Sequence, residues 1–120
     1  MAQEEQKQRV IALFDVDQTL TPARSTIQPN MIETLQKMRA KGIDFGIVSG
    51  SDLVKVRQQL GAEIVAGADY CFAENGLDAY RGSELIEKQS INLALGEANL
   101  KRLINFCLHY IADLEIPIKR

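Results

Sequence analysis

Apolar residues in this chain occur in two kinds of stretch: short continuous runs, and segments whose apolar positions are three and four residues apart. The continuous runs predict strands, and the segments between them, one after Pro29 and one after Asp52, predict helices. The predicted strands lie at residues 10–14, 43–48 and 70–73. Because strands and helices alternate, the pattern predicts a right-handed parallel α/β sheet.

The first predicted strand is typical of a central parallel strand covered on both faces. Two carboxylates, Asp15 and Asp17, follow it, and ligands of such sheets bind at the carboxyl ends of strands. At strand spacing the two acids project to the same side, roughly 6.5–7 Å apart. They can then hold a hard cation and still offer one oxygen as a nucleophile.

The plain alternative is an Asp-rich turn after a core strand, because Asp favours turns. Thr19, at the fifth position of the motif, and the segment Leu20-Thr21-Pro22 after it favour a functional site over the plain turn. We therefore interpret the end of the first strand as a candidate site.

A second polar group, Ser49, Gly50 and Ser51, follows the second predicted strand. If the first two strands are parallel neighbours, this loop reaches the same edge of the sheet as the two acids. Small residues, hydroxyls and free backbone amides at a helix start form a seat for phosphate. Ser51 or Asp52 also suits the helix N-cap, and the two roles are compatible.

The pattern changes beyond Gly76. Residues 77–80 and 85–88 flank a four-residue turn and predict a β-hairpin. An amphipathic helix is predicted over residues 100–114, with one apolar side, and Pro117 follows its end. We find no internal repeat.

Composition places the chain among soluble globular proteins, since 46% of its 120 residues are apolar and 25% are charged. This length suffices for one modest domain and not for two complete ones. The net charge of −2 and the absence of basic runs argue against a nucleic-acid partner. The polar N-terminus and the lack of an 18-residue apolar span predict no signal peptide and no membrane partner.

The two cysteines, Cys71 and Cys107, lie in apolar patterns without metal-ligand spacing. We predict two buried thiols in a reducing compartment, which indicates a cytoplasmic protein.

The segment FDVDQTLT, residues 14–21, resembles the first motif of the haloacid-dehalogenase-like phosphotransferases, D-x-D-G-T. A longer ordered set resembles one branch of that group, the eukaryotic-type phosphomannomutases: FDVDQTLTPAR, VSGSD, QLG, ENGLDAY, LGEANL and INFCLHYIADLEIPIKR. The resemblance implies a Rossmann-like parallel sheet core of the haloacid-dehalogenase-like type over residues 1–82. It implies the start of an α+β cap domain over residues 83–120, in a chain shorter than the family's.

The same resemblance implies an enzyme that interconverts mannose 6-phosphate and mannose 1-phosphate for GDP-mannose synthesis. Asp15 would be the nucleophile that carries the phosphate, and Asp17 the acid/base. Mg²⁺ would be bound by Asp15 and by the main-chain carbonyl of Asp17. Arg24 matches the family's substrate-contacting arginine. The implied partners are hexose phosphates, a hexose bisphosphate activator and a second copy bound through the cap.

Three features depart from the family pattern. Gln18 replaces the Gly of the first motif, and Ser49 replaces the Gly usual in the mutases. The chain also stops at Arg120, before the lysine and the further acids that the resemblance implies. We therefore expect the first half of an enzyme, inactive alone. A sugar-phosphate phosphatase of the same group and a non-catalytic relative that acts as a binding module are the alternatives.

Overall fold

The computed structural model describes residues 8–118. It divides into two compact units, Met1–Lys88 and Gln89–Arg120. The division after Lys88 falls six residues later in the chain than the boundary after residue 82 that the sequence led us to expect. The division into a catalytic core and a cap stays a prediction.

A five-stranded sheet forms the first unit, with its strands in chain order. The strands are β1 (Val10–Asp15), β2 (Ile43–Val48), β3 (Tyr70–Ala73), β4 (Asp78–Arg81) and β5 (Glu84–Lys88). The first three are parallel, as the sequence predicts, and β4 and β5 continue the sheet antiparallel. The predicted hairpin is therefore confirmed, although its loop is shorter than expected because Arg81 already pairs with Glu84.

Three helices of the first unit connect the parallel strands: α1 (Pro29–Ala40), α2 (Leu53–Leu60) and α3 (Ala62–Gly67). Pro29 occupies the first turn of α1, where its missing N–H costs no hydrogen bond. Asp52 caps α2 through a 2.8 Å hydrogen bond that its carboxylate accepts from the N–H of Lys55. Gly61, with φ +87°, separates α2 from α3.

The core lies on one face of this sheet. The buried cluster combines Phe45 and Ile47 of β2 with residues from all three helices. Because β1, β2 and β3 follow one another in one direction, right-handed crossovers place the connecting helices on the same face. Within residues 8–88 no helix covers the opposite face, which carries Ile11 and Leu13.

The expectation that β1 is a central strand covered on both faces is wrong for the described residues. β1 is an edge strand, paired only with β2. Val10 is 56% exposed and Leu13 is 54% exposed. The cause is that β1 has no neighbour other than β2 in the sheet, and the helices of residues 8–88 pack on the other face.

The second unit contains two helices, α4 (Ile91–Leu95) and α5 (Glu97–Asp113). The predicted amphipathic helix is confirmed as α5, whereas α4 was not expected. Neither helix contains a buried residue. Of the two cysteines, Cys71 is buried as predicted. Cys107 is exposed, so that prediction is wrong, because it lies on α5, which contains no buried residue. Within residues 8–118 no helix has the length and apolarity to cross a membrane.

Candidate active site

The carboxyl ends of three parallel strands meet at one edge of the sheet. Asp15, the last residue of β1, pairs in register with Val48, and Val48 pairs with Phe72 of β3. The loops that follow these strands therefore lie side by side. As the sequence predicts, the structure brings the Asp15–Asp17 segment and the loop of residues 49–51 to the same edge.

A tight turn after β1 presents the two acids. Val16 is 1% exposed and enters the core. Its carbonyl oxygen accepts hydrogen bonds from the N–H groups of residues 19–21, at 3.0–3.3 Å. With Val16 fixed in this way, Asp15 is left exposed and Asp17 partly buried at the surface.

The turn places Gln18 in the left-handed region, with φ 61°. Gly adopts this conformation without steric cost, and a residue with a Cβ does not. The left-handed turn thus explains why the D-x-D-G-T pattern has Gly at this position. Gln18 adopts the same backbone conformation at a cost in conformational energy.

Asp17 is held by two hydrogen bonds to one of its oxygens. Its Oδ1 accepts from Nε2 of Gln59 at 2.7 Å and from the backbone N–H of Arg24 at 3.1 Å. The hydrogen bond from Gln59, and after it that from Arg24, hold the pKa of Asp17 below its usual range. Asp17 is therefore a carboxylate at neutral pH and can accept a proton.

Arg24 lies in the loop between β1 and α1. Its backbone, with φ 53°, points its N–H at Asp17, while the residue itself is exposed. A substrate-facing role for its guanidinium stays a prediction.

The loop of residues 49–51 is tied to the turn that follows β3. The N–H groups of Glu74 and Asn75 donate to the carbonyl oxygens of Ser51 and Ser49, both at 2.9 Å. Asn75 also contacts Gly50 closely, since a Cβ at Gly50 would lie 3.3 Å from its Oδ1. Glu74 and Asn75 adopt left-handed backbones, with φ 51° and 58°, and thereby hold the loop.

The expectation of free amides in this loop is only partly correct. The N–H of Ser49 donates to the carbonyl of Phe72 at 2.9 Å, and the N–H of Ser51 donates to Oγ of Ser49 at 3.1 Å. Among the described residues, only the N–H of Gly50 in this loop lacks a hydrogen-bond partner. Ser49 is buried, and its hydroxyl oxygen accepts a hydrogen bond from within the loop, so the loop folds back on itself.

Sequence reasoning did not assign roles to Gln59, Glu74 or Asn75. Their segments, QLG and ENGLDAY, belong to the motif set noted above, so a signal was present without a function attached. Within residues 8–118 no three His, Cys, Asp or Glu side chains come together to hold a metal ion.

Comparison with known proteins identifies close relatives. The sequence model of a family described as eukaryotic phosphomannomutase matches residues 31–120. A phosphomannomutase of Dendrobium officinale is 58% identical over 111 residues, which cover 92% of this chain and 44% of that protein. One of Schizosaccharomyces pombe is 52% identical over 115 residues, with 93% and 44% covered. The chain thus spans less than half the length of these curated relatives.

Solved structures share the fold. A haloacid-dehalogenase-like hydrolase from B. subtilis matches with a TM-score of 0.62 and 17% identity, over 82% of this chain and 34% of that chain. The phosphatase BT1666 from Bacteroides thetaiotaomicron matches with a TM-score of 0.60 and 21% identity, over 88% and 39%. These likenesses establish the haloacid-dehalogenase-like fold.

Proposed function

The chain belongs to the eukaryotic phosphomannomutase family, and from this we propose that it supplies the phosphoryl-carrying part of a mutase. The proposed reaction interconverts mannose 6-phosphate and mannose 1-phosphate through an aspartyl phosphate on Asp15. One observation carries the proposal: an exposed carboxylate and a hydrogen-bonded carboxylate flank the buried Val16 at the edge where three strands end.

In the proposed reaction, Asp15 carries the phosphate and Asp17 transfers the proton, and both acids act in each of the two steps. The Asp15 carboxylate attacks the phosphorus of a hexose bisphosphate, and the bond from phosphorus to the sugar oxygen breaks as Asp17 gives that oxygen the proton that it took from a sugar hydroxyl in the preceding transfer. In the return step a sugar hydroxyl attacks the phosphorus on Asp15. The Asp15 oxygen leaves as a carboxylate, and Asp17 takes the hydroxyl proton. Asp17 is ionised at neutral pH and is therefore ready for the return step.

We propose Mg²⁺ as the cofactor, on the chemistry of the donors. The Asp15 carboxylate and the main-chain carbonyl of Asp17 are hard oxygen ligands, and Mg²⁺ typically takes one or two carboxylates together with phosphate oxygens and water. When bound, the ion would neutralise charge on the transferring phosphoryl group.

We place the substrate phosphate near the loop of residues 49–51 and the exposed Arg24. The N–H of Gly50 and the hydroxyls of Ser49 and Ser51 are the donors that the loop has left to offer. The Oγ of Ser49 accepts from the N–H of Ser51, and its own O–H is still available to donate to a phosphate.

Activity is tested in what we call the completed chain: residues 1–120 joined to the segment of the Dendrobium officinale relative that their match leaves out. With mannose 1-phosphate, Mg²⁺ and a hexose bisphosphate, we expect mannose 6-phosphate to form. The intact relative serves as the control for the assay. Release of inorganic phosphate in place of mannose 6-phosphate would identify a phosphatase, and turnover of neither kind would identify a non-catalytic relative.

We expect Gln18→Gly to stabilise the completed chain by about 0.5–1 kcal/mol. A non-Gly residue in the left-handed region costs roughly 1–2 kcal/mol, part of which the greater freedom of Gly in the unfolded chain offsets. We also expect turnover to rise, because the turn that carries both acids relaxes. Denaturant unfolding measures the first effect and kcat the second.

The matched control for that substitution is Gln58→Gly. Gln58 is exposed within α2, so the change should instead destabilise by about 1 kcal/mol. A loss of stability in Gln18→Gly as well would show that the turn has adapted to Gln18.

A role in GDP-mannose synthesis, a cytoplasmic location and pairing of two copies through the cap complete the proposal. These three points rest on membership of the family.

A further inference from the structure

Gln59 directs its side-chain amide at the acid/base candidate. It is 7% exposed, and its Nε2 lies 2.7 Å from Oδ1 of Asp17 and 3.4 Å from the carbonyl oxygen of Ser25. Turning the amide over would place its oxygen against the carboxylate and against that carbonyl. The N–H groups of Gln59 therefore face Asp17.

The main chain of Gln59 makes a second link to the same region. Its carbonyl oxygen accepts from the N–H of Ile27 at 2.8 Å, and the intervening loop returns the N–H of Arg24 to Asp17 at 3.1 Å. One helical residue thus ties the acid and the loop that carries Arg24 to α2.

Packing alone does not explain a glutamine at this position. Its Oε1 is buried without a hydrogen-bond partner among the described residues. Such an orphaned acceptor destabilises the fold, a penalty that Met of similar size would avoid. The interactions that only the amide can make are its donation to Asp17 at 2.7 Å and the longer one to the carbonyl oxygen of Ser25 at 3.4 Å.

We propose that Gln59 is a positioning residue for proton transfer. It occupies Oδ1 of Asp17 and leaves Oδ2, which has no hydrogen bond within residues 8–118, to exchange the proton with the sugar oxygen. It also keeps the Arg24 loop against the same carboxylate. This inference rests on the proposed role of Asp17 in the mutase reaction.

A double-mutant cycle in the completed chain tests the inference. We expect Gln59→Met to lower kcat by about tenfold to a hundredfold, because the acid is misplaced, with KM within about threefold. Asp17→Asn should lower single-turnover transfer by at least about a hundredfold. In the Asp17→Asn background, Gln59→Met should cause no further loss, since its effect passes through Asp17.

Gln58→Met is the matched control, because Gln58 is the exposed neighbour on the same helix, and we expect kcat to be unchanged. If Gln59→Met does not fold, Gln59→Glu keeps the side-chain shape and completes the same cycle, with a loss that Asp17→Asn again masks. Losses that add in the double variant would assign Gln59 a merely structural role and overturn the inference alone. No turnover in the unsubstituted completed chain would overturn the proposed function and the inference with it.

Discussion

Asp15→Asn lowers phosphoryl transfer by the completed chain to less than about a hundredth of its unsubstituted rate. An amide does not take up phosphate as a mixed anhydride, and no other carboxylate ends β1. The fold should survive, because Asp15 is exposed at the strand end and Asn has nearly the same shape. The measurements are kcat for mannose 1-phosphate, calorimetric binding of the sugar phosphate, and thermal unfolding; only the first should change markedly.

Asp52→Asn is the matched control for this substitution. Asp52 is also an exposed acid on this edge of the sheet, but it caps α2, and Asn caps a helix about as well as Asp. Turnover and stability should both be kept. Retention of more than about a hundredth of the activity in Asp15→Asn would rule out nucleophilic catalysis by this residue.

The isolated 120-residue chain should be loosely packed, bind a hydrophobic dye and turn over no sugar phosphate. The bare face of β1 carries Leu13 at 54% exposure, and the outer edge of β1 is unpaired in the described structure. In the second unit, α5 has no buried residue although much of it is apolar, as Phe106 at 66% exposure shows. Such surfaces are normally covered.

Dye fluorescence and thermal unfolding of the isolated chain, compared with the completed chain, test this expectation. Leu13→Gln sharpens the comparison. We expect it to lower the free energy of unfolding little in the isolated chain and by about 2 kcal/mol or more in the completed chain, where we expect the added segment to cover this face. Val54→Gln, at a 63% exposed position on α2, should change the free energy of unfolding little in either the isolated or the completed chain. A sharp cooperative transition with negligible dye binding would show that the isolated chain is a complete domain. Magnesium-dependent turnover that vanished in Asp15→Asn would overturn the expectation of half an enzyme.

Much of the fold could be predicted because local pattern determines it. Pro29, Asp52 and Gly61 mark helix ends by their own backbone chemistry, and the structure confirms each. The place of β1 in the sheet could not be predicted in this way. Its apolar run indicates two faces to be covered, whereas the order of the strands decides which face the helices cover. The exposure of Cys107 has the same origin: its apolar surroundings indicate burial but not the partner that would provide it.

The candidate site, too, could be predicted from the sequence only in part. Asp15 and Asp17 could be predicted, because a motif at the end of an apolar strand fixes their position. The role of Gln59 could not, since it depends on the approach of residues 42 positions apart. The bonded amides of Ser49 and Ser51 could not be predicted either, because their acceptors are the carbonyl oxygen of Phe72 on the neighbouring strand and the Oγ of Ser49 itself.

The most direct measurement is the location of the phosphate in the reacting enzyme. The completed chain is mixed with a hexose bisphosphate and Mg²⁺, quenched in acid within the first turnover, digested and mapped by mass spectrometry. We predict one phosphate on the peptide that contains Asp15, its loss on addition of mannose 1-phosphate, and none in Asp15→Asn. Phosphate on another residue, or turnover with no phosphorylated enzyme at any time, would contradict the assignment of Asp15 as the phosphoryl carrier.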